Sequence, residues 1–360
     1  MSRDTGGPRI RHRPLRVALE ATYWKQQGGT GRYLSSIAGE LNRRNDVDLL
    51  IFRAPRLTGR MKRPLRTALN GLLHLIWVQV IMPIWARWRH VDLIHASMVG
   101  PAFAPCPVVI TLHDALDFHR RYRTSTLWSA YVRAAGIRAA GRAARIICVS
   151  AAARDEIIEH TGISTNRTVV VPNGSDIAGI EPRQPTWTRD IDDPIILAVG
   201  PHIARKNLST LVDACEAARA THPLHLVLIG ERTQGFVQGR PWITAAVGCT
   251  NAELAWLYRQ AAAVAVPSRY EGFGLPALEA LSVGTPVICA DIPALREVAE
   301  DCGVFVQATD VDSFATAIRD VIDDPVATRQ KVGVCAGRTW SHVADDLLSI
   351  YREITGYGSP

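Results

Sequence analysis

The stretch AVAVPSRYEGFGLPALEALSVGTPVICA, residues 263–290, determines how the second half of this sequence is expected to fold. It begins with a short apolar strand, Ala263 to Val266. A turn containing Gly272 and Gly274 follows, and a helix is expected to begin near Leu275. Glycines in such a turn let backbone N–H groups approach an anion at the helix N-terminus, which carries roughly half a positive charge. The stretch therefore predicts a strand, a turn and a helix that together bind phosphate.

Two glutamates flank this turn, with seven residues between them. Glu271 falls in the loop, and Glu279 falls about one turn inside the helix. A carboxylate accepts hydrogen bonds from a pair of sugar hydroxyls, so one glutamate suits a sugar and the other a ribose, on either side of a diphosphate. The alternative is that Glu279 is a solvated helix residue and that Glu271 only interacts with the helix dipole.

Similar short apolar strands recur along the whole chain, each followed by a turn and a helical pattern. The first set is Leu15 to Ala21, Val47 to Phe52, Val91 to Ala96, Val108 to Leu112, Ile146 to Ser150 and Thr168 to Val171. The second set is Ile195 to Val199, Leu224 to Ile229, Ala263 to Val266, Pro286 to Ala290 and Val304 to Val306. Apolar strands that alternate with helices indicate parallel sheets covered on both faces.

We therefore predict an α/β protein with two facing, doubly wound Rossmann-like domains, residues 1–175 and 176–336, and ligand sites at the carboxyl ends of the strands. Its 360 residues suffice for two domains. The segment Gly174 to Pro194 lacks periodicity and is typical of a linker. Residues 337–360 contain a helix, Trp340 to Ile354, with one apolar stripe that needs a partner surface.

The composition is that of a globular protein, with 47% hydrophobic and 21% charged residues, which excludes disordered and collagenous classes. The seven cysteines are scattered without a C-x-x-C pair, a pattern that suits buried thiols in a reducing cytosol. Met1 to Arg13 lacks the apolar core of a secretory signal. The longest apolar run, Leu72 to Trp85, is shorter than the roughly 20 residues of a membrane span. We expect a cytoplasmic protein without a transmembrane helix.

Positive charge is concentrated in one segment, because no Asp or Glu occurs between Leu49 and Val91. Its eight basic residues are Arg53, Arg56, Arg60, Lys62, Arg63, Arg66, Arg87 and Arg89. Three tryptophans, Trp77, Trp85 and Trp88, are interleaved with them, and this mixture suits an anionic membrane surface. We expect residues 53–89 to contact such a surface. A core helix with a solvated basic rim is the alternative, and nucleic acid is disfavoured because no nucleic-acid module accompanies the charge.

A pair of cations follows the first strand of the second set, in VGPHIARKN. Gly200 ends the strand, and Arg205 and Lys206 precede Asn207, a candidate helix N-cap. Adjacent cations before a helix suit a leaving diphosphate, because Arg binds oxygens as a planar fork and Lys acts as a point charge. A solvated surface pair is the alternative.

Together these motifs resemble glycosyltransferase family 4, whose members are retaining enzymes with the GT-B fold. The likeness is carried by EGFGLPALEA, VGPHIARKN and LVLIG in the second half, and by GGTGRYLSSIAGEL, HASMVGPAFAPCPVVITLHDALDF, IICVSAAARDEI and VVVPNGSD in the first. The middle of the first domain looks most like bacterial mannosyltransferases of polysaccharide and glycolipid assembly. The resemblance implies a final helix that crosses back onto the first domain. It also implies transfer of a hexose, foremost mannose from GDP-mannose, to a glycan or lipid-linked acceptor.

The resemblance implies roles for residues of the second domain. Glu271 would bind hydroxyls of the donor sugar, and Glu279 would bind those of the ribose. Arg205 and Lys206 would neutralise the departing phosphates. Further donor-binding positions are Gly200, Gly272, Phe273, Gly274 and Leu275. The segment Gly230 to Cys249 is expected to shape the base pocket.

In the first domain the resemblance places Gly29, in GGTG, near the diphosphate or the acceptor. It places His113 near the anomeric carbon, where its carbonyl or ring would stabilise an oxocarbenium-like transition state. Both motifs have plainer alternatives, an ordinary turn for GGTG and a turn cap for His113. Relatives carry an acidic residue beside Gln in the segment IWVQVIMP, where this sequence has Val78.

No metal and no cofactor is expected besides the nucleotide sugar, because cations and amides can stabilise the leaving diphosphate. Three DxD pairs occur, Asp46 with Asp48, Asp190 with Asp192 and Asp310 with Asp312, but they fall before a strand, in the linker and at a helix start. A nicotinamide dehydrogenase would need a glycine fingerprint followed by an acidic residue, which neither half supplies. The remaining alternatives are a UDP- or dTDP-hexose transferase, a non-hydrolysing nucleotide-sugar epimerase and a non-catalytic sugar-binding protein.

Overall fold

The computed structural model describes residues 13–22, 24, 28–57, 63–118, 130, 132–326, 329 and 337–357. The chain forms two compact units. The first unit consists of Met1–Pro172 with Trp340–Pro360, and the second unit consists of Asn173–Thr339. Each unit contains one six-stranded sheet whose paired strands are all parallel. The predicted α/β class with parallel sheets is therefore confirmed.

In the first unit the strands are β1 (Leu15–Glu20), β2 (Val47–Phe52), β3 (Leu93–Ser97), β4 (Val108–Leu112), β5 (Arg145–Cys148) and β6 (Thr168–Val170). The helices described there are α1 (Gly29–Asn42), α2 (Arg63–Ile76), α3 (Met82–Trp88), α4 (Ile137–Ala140), α5 (Ala151–Thr161) and α11 (Trp340–Thr355). A π-helical turn, Trp77–Ile81, joins α2 to α3 without a break.

In the second unit the strands are β7 (Ile195–Val199), β8 (His225–Ile229), β9 (Ile243–Ala246), β10 (Ala263–Val266), β11 (Val287–Ala290) and β12 (Gly303–Val306). The helices described there are α6 (Leu208–Arg219), α7 (Asn251–Gln260), α8 (Leu275–Ser282), α9 (Pro293–Ala299) and α10 (Val311–Asp323). Every predicted strand is present within a few residues of its expected ends. The strand β9 was not predicted, because its four residues form no apolar run.

Both sheets reverse their winding direction next to the first strand of the unit. The orders are β2-β1-β3-β4-β5-β6 and β12-β11-β10-β7-β8-β9. Hence β1 lies between β2 and β3, and β7 lies between β8 and β10. Ligand sites in open α/β sheets form at such points, because the loops that leave the two carboxyl ends diverge.

Cysteines serve mostly as small apolar residues, as predicted. Cys148 in β5 and Cys289 in β11 are fully buried free thiols. Cys302 is the exception, because it is disulfide-bonded. The expectation of thiols throughout is therefore wrong for this residue, whose scattered sequence context gave no sign of a partner.

The helix formed by α2, the π-helical turn and α3 buries one side chain every four residues. His74, Val78, Met82 and Ala86 are all buried. Since a π-helical turn takes more residues than an α-helical turn, it keeps this four-residue repeat on one side. Ala68–Trp88, at 21 residues, is the one helix in the described part of the chain whose length and composition would let it cross a membrane. The expectation from the shorter run Leu72 to Trp85 did not include this possibility.

The terminal helix α11 packs within the first unit, against α1 and the sheet. The Trp340 ring lies 6.0 Å from the Tyr33 ring, edge to face. Arg44, which follows α1, pairs with Asp345 at 2.7 Å. Tyr351 of α11 hydrogen-bonds the ring of His95 in β3. The apolar stripe that the sequence predicts on this helix therefore covers part of the first unit.

Two glycines allow a close approach between the loops that follow β7 and β8. Gly200 N–H donates to Ile229 O at 2.8 Å. A Cβ added to Gly230 would lie 2.2 Å from the carbonyl oxygen of Gly200. Any side chain at position 230 would therefore push the β7 loop, which carries the predicted phosphate-binding cations, out of place.

We expect Gly230→Ala to lower the free energy of unfolding by about 1 to 3 kcal/mol, as overpacking does. The measurement is urea unfolding of the purified protein. Gly235→Ala is the matched control, because a Cβ at that position meets no atom within 4 Å. Equal stability of the two variants would contradict the expectation.

Candidate active site

The site in the second unit is assembled where β7 and β10 lie side by side. Arg205 and Lys206 follow β7 in a short 3-10 turn, Ala204–Lys206, and Glu271 follows β10. Some 65 residues of chain separate the two segments. Parallel pairing brings their carboxyl ends to one edge, so the two loops meet.

Glu271 binds both predicted cations directly. Lys206 Nζ lies 2.5 Å from Glu271 Oε1, and Arg205 Nη1 lies 3.2 Å from Oε2. Ser268 Oγ donates to Oε1 at 2.7 Å. All three charged side chains are largely buried, with 22% or less of each exposed. The alternative of a solvated surface pair of cations is therefore wrong.

The charges of this cluster determine the protonation state of Glu271. Burial alone would raise the pKa of the carboxyl, but the positive charges of Lys206 and Arg205 outweigh it. Hydrogen bonds from Lys206 and Ser268 act in the same direction and hold the pKa at about 2. Glu271 is consequently a carboxylate near neutral pH, able to accept hydrogen bonds from hydroxyl groups.

Arg205 keeps one buried donor without an acceptor. Its Nη1 also donates to the carbonyl oxygen of Tyr270 at 3.3 Å. Its Nε is buried and has no hydrogen-bond partner in the structure. A buried cationic donor without an acceptor is costly, so such a group indicates a site that receives an anionic ligand.

The turn between β10 and α8 has the predicted form. Gly274 is the residue before α8 and has φ +108°. This backbone conformation favours glycine, and a Cβ there would lie 2.5 Å from Leu295 Cδ2 and displace that side chain. Phe273 is buried beside it, Gly272 precedes it, and Leu275 is the first residue of α8.

Asn207 occupies the N-cap position of α6, but its side chain does not cap the helix. Its Nδ2 donates to the carbonyl oxygens of Pro267 and Ala308, at 3.1 and 2.5 Å. Its Oδ1 accepts from Arg269 Nε at 3.0 Å. Asn207 is therefore the N-cap residue by position, as predicted, but its side chain ties the loop after β7 to the loops after β10 and β12 instead of capping the helix.

Glu279 lies in the second turn of α8 and is buried, with 3% of its surface exposed. Its Oε2 accepts a hydrogen bond from Tyr258 of α7 at 2.6 Å. The alternative of a solvated helix residue is therefore wrong for Glu279. The sequence analysis did not identify Tyr258, because nothing in the pattern of α7 distinguishes it from a core aromatic residue.

The expected base-pocket segment begins directly after β8. Thr233 is buried and donates to the carbonyl oxygen of Gly230 at 2.8 Å, which closes a tight turn. The Phe236 ring lies 4.5 Å from the ring of His202 in the loop after β7. These two rings form an aromatic pair next to the turn that carries Arg205 and Lys206.

In the first unit, His113 follows β4 and is held by β3. Its Nε2 lies 3.0 Å from Ser97 Oγ, and its ring packs edge to face on Tyr33 at 4.9 Å. Burial lowers the pKa of His113 to about 4, so the imidazole is neutral near pH 7. Ser97, which sequence reasoning missed, is identifiable as the polar end of an apolar strand.

A buried hydrogen-bond network connects α1, the sheet and α11. Tyr33 OH lies 2.9 Å and His95 Nε2 lies 2.7 Å from Thr111 Oγ1. His95 Nδ1 pairs with the hydroxyl of Tyr351. Since Tyr33 also contacts His113, this network fixes the ring on which His113 packs. Gly29 is the first residue of α1, preceded by Gly28 with φ +127°.

Glu20 is a further candidate that the sequence analysis missed. It ends β1 at the carboxyl edge of the sheet and is fully buried. Its Oε1 accepts from the N–H of Thr22 at 2.9 Å, whereas its Oε2 has no hydrogen-bond partner. Burial raises the pKa of Glu20 to about 7. A charged residue at the end of the apolar strand LRVALE is the signal that could have revealed it.

Three of the six DxD carboxylates form contacts that have a structural role. Asp48 pairs with Arg16 at 2.6 Å, and Asp46 pairs with Arg352. Asp310 caps α10 by accepting from the N–H of Ser313 at 3.0 Å. Within the described residues, no group of three His, Cys, Asp or Glu side chains is arranged to hold a metal ion.

Two family models match the chain. One described as Glycosyltransferase Family 4 matches residues 27–178, and one described as Glycosyl transferases group 1 matches residues 181–336. A glycogen synthase of Mycobacterium tuberculosis is 30% identical over 295 residues, covering 73% of this chain and 69% of that protein. O-antigen chain mannosyltransferase B of Escherichia coli is 28% identical over 233 residues, covering 58% and 60%.

The fold is also found among solved structures. Sucrose-phosphate synthase from Thermosynechococcus elongatus matches with a TM-score of 0.75 and 20% sequence identity, over 95% of this chain and all of that one. The likeness confirms the predicted GT-B fold.

We expect Glu20→Gln to stabilise the protein near neutral pH. The folded state binds the Glu20 proton more tightly, with a pKa of about 7 against 4.5 for the free group. The stabilisation that results from protonation of Glu20 in the folded state is therefore fully present below pH 4.5 and is lost as the pH rises to 7. At about 1.4 kcal/mol per pH unit, the loss is on the order of 3 kcal/mol.

The measurement is the difference in unfolding free energy between Glu20→Gln and wild type, by urea titration between about pH 5 and pH 8. The difference should increase with pH. Glu353→Gln, which alters an exposed carboxylate of the same unit, is the control and should show little change. A difference for Glu20→Gln that does not depend on pH would refute the assignment.

Proposed function

Because this chain belongs to glycosyltransferase family 4, we propose that it transfers mannose from GDP-mannose to a glycan or lipid-linked acceptor and retains the anomeric configuration. The observation that carries the proposal is the buried cluster of Arg205, Lys206 and Glu271. Cleavage of a nucleotide sugar creates negative charge on the diphosphate and positive charge on the sugar ring. The cluster places two cations and one carboxylate side by side, which matches both charges.

The cations act on the leaving group. Lys206 and Arg205 exchange part of their contact with Glu271 for the phosphate oxygens, and Arg205 Nε has a donor available for one of them. This stabilises the diphosphate as the glycosidic bond breaks, without a metal ion. Glu271, released in part from the cations, accepts hydrogen bonds from the hydroxyls of the sugar.

His113 would serve the reacting sugar as a neutral ring. A protonated imidazole would repel the positive charge that develops on the sugar, and the burial of His113 prevents protonation near pH 7. Its contact with Ser97 fixes the ring orientation. Departure of the nucleotide and attack by the acceptor on the same face would retain the configuration.

The mannose donor is supported by the likeness of the first domain to bacterial mannosyltransferases and by the E. coli relative of that name. The glycogen synthase relative supports the alternative of another hexose. Epimers differ by one hydroxyl, which only the pocket geometry distinguishes. A UDP- or dTDP-hexose transferase, an epimerase and a non-catalytic sugar-binding protein are therefore the competing functions.

The first test is thermal stabilisation by a panel of nucleotides and nucleotide sugars, since a ligand at 100 times its Kd adds about 2.7 kcal/mol. We expect GDP-mannose to give the largest shift. Glu279→Ala and Arg205→Ala should weaken binding by about 10- to 100-fold, because each removes a hydrogen bond to a charged group. Arg183→Ala, which alters an exposed arginine of the same unit, is the control.

A preference for uridine or thymidine nucleotides would exclude the mannose donor. Interconversion of the nucleotide sugar without an acceptor would favour the epimerase. Binding without transfer, unchanged in Lys206→Met, would favour the non-catalytic protein. No shift with any nucleotide would contradict the proposed reaction itself.

A lipid-linked acceptor is supported by the outward side of the α2–α3 helix. Leu72, Ile76, Val80, Ile84 and Trp88 are exposed at four-residue intervals, opposite the buried repeat. Arg66, Arg87 and Arg89 belong to the same helix or follow it, whereas Arg60 and Lys62 lie outside the described residues. An apolar stripe with basic neighbours suits a surface of anionic lipid headgroups.

The packing of the helix supports a position in the membrane surface rather than across the membrane. Its inner side is packed along its length, since Trp77 and Trp85 contact Phe52 at ring distances of 5.5 and 5.0 Å. Gln79 binds the backbone of Gly100 and Ala102 on the same unit, at 2.9 Å each. A spanning helix would have to leave these contacts. Of the three tryptophans expected at the membrane, only Trp88 is exposed.

We expect wild-type protein to sediment with liposomes containing anionic phosphatidylglycerol at low salt, and Ile84→Ser/Trp88→Ser to lose most of this binding. Phe103→Ser is the matched control, because Phe103 is 72% exposed on the same unit but does not belong to the helix that carries the stripe. Binding should weaken at high salt because the headgroup attraction is screened. Wild-type protein that stays in the supernatant would contradict the membrane contact.

A further inference from the structure

The carboxylate of Glu279 is held by a buried tyrosine hydroxyl. Tyr258 OH donates to Glu279 Oε2 at 2.6 Å, and neither side chain is more than 3% exposed. A hydrogen bond of this length from a hydroxyl to a carboxylate is in the strong, charge-assisted range. It fixes the plane of the carboxyl group, which would otherwise rotate about its terminal torsion.

Tyr258 is buried, and its backbone is tied to the core of the second unit. Thr285, which is fully buried, donates from Oγ1 to the backbone carbonyl of Tyr258 at 2.6 Å. The start of α7 is fixed by a reciprocal cap, in which Thr250 and Glu253 bind each other's backbone N–H. The hydroxyl of Tyr258 is therefore a rigid reference point contributed by the core of the second unit.

A rigid carboxylate plane matters for the recognition of a ribose. The 2′ and 3′ hydroxyls form a vicinal diol that donates two hydrogen bonds, and a carboxylate can accept both only in one orientation. An ionised carboxyl group has about four lone-pair positions, and Tyr258 occupies one of them. The remaining positions are thereby directed before the nucleotide arrives, which removes an ordering cost from binding.

We propose that Tyr258 is a positioning residue that orients Glu279 toward the ribose hydroxyls and thereby makes the donor site selective for ribonucleotides over deoxyribonucleotides. The inference rests on the proposed function and on the role that the family resemblance implies for Glu279, the binding of the ribose hydroxyls. It extends that function by assigning the discrimination between ribose and deoxyribose to Tyr258, which acts through Glu279.

The test compares GDP with 2′-deoxy-GDP, or UDP with 2′-deoxy-UDP if the uridine nucleotide binds more tightly, by titration calorimetry. Wild type should prefer the ribonucleotide by about 10-fold or more, the size of a hydrogen bond to a charged group. Tyr258→Phe keeps the ring and removes the hydroxyl. It should weaken ribonucleotide binding by about 10-fold and change deoxyribonucleotide binding by less than about 2-fold.

Tyr351→Phe is the control, because it removes a buried tyrosine hydroxyl from the first unit. It should leave the ratio of the two affinities unchanged, even if it lowers the melting temperature. A purely structural role of Tyr258 would likewise lower stability and leave the ratio unchanged, and that result would overturn the inference alone. Absence of nucleoside diphosphate binding by wild type would instead overturn the proposed function, and the inference with it.

Discussion

Neighbouring parallel strands bring their carboxyl ends to the same edge of a sheet, and the chemistry of this protein depends on that constraint. Arg205 and Lys206 belong to one crossover and Glu271 to another, yet they form one buried cluster because β7 pairs with β10. In the first unit, the same constraint brings Ser97 at the end of β3 to His113 after β4. Helices and loops then supply the residues that hold these groups in place.

Burial disfavours the charged form of three titratable groups at these edges, and their neighbours decide whether each group stays charged. Glu271 is kept ionised by Lys206 and Arg205, with a pKa of about 2. His113 contacts the neutral Ser97 and Tyr33 among the described residues, and burial keeps it uncharged. Glu20 gains a side-chain and a backbone hydrogen bond with Thr22 and the positive charge of Arg56, which together do not compensate its burial. Stability alone would not favour a carboxyl group at position 20, and such groups concentrate at functional sites.

The sequence was sufficient for the strands, the two-sheet architecture and the glycine-containing turn before α8, since these depend on apolar runs and on glycine positions. It was insufficient for contacts between distant segments. Nothing in EGFGLPALEA shows that Glu271 binds both cations or that Glu279 meets Tyr258. Helix periodicity also failed locally, because no propensity marks Trp77–Ile81 as a π-helical turn. Two of the three tryptophans consequently face the protein rather than the expected membrane.

Because of the π-helical turn, the number of residues in this helix matters as much as their type. Each α-helical residue turns the chain by about 100°. Removing one residue from the π-helical turn would therefore rotate α3 relative to α2 by roughly that angle. Met82 and Ala86 would leave the buried side of the helix, and Ile84 and Trp88 would leave the outer stripe. Substitutions between apolar residues are tolerated at such positions, whereas single insertions or deletions are not. The length of this segment thus encodes the direction in which its surface faces.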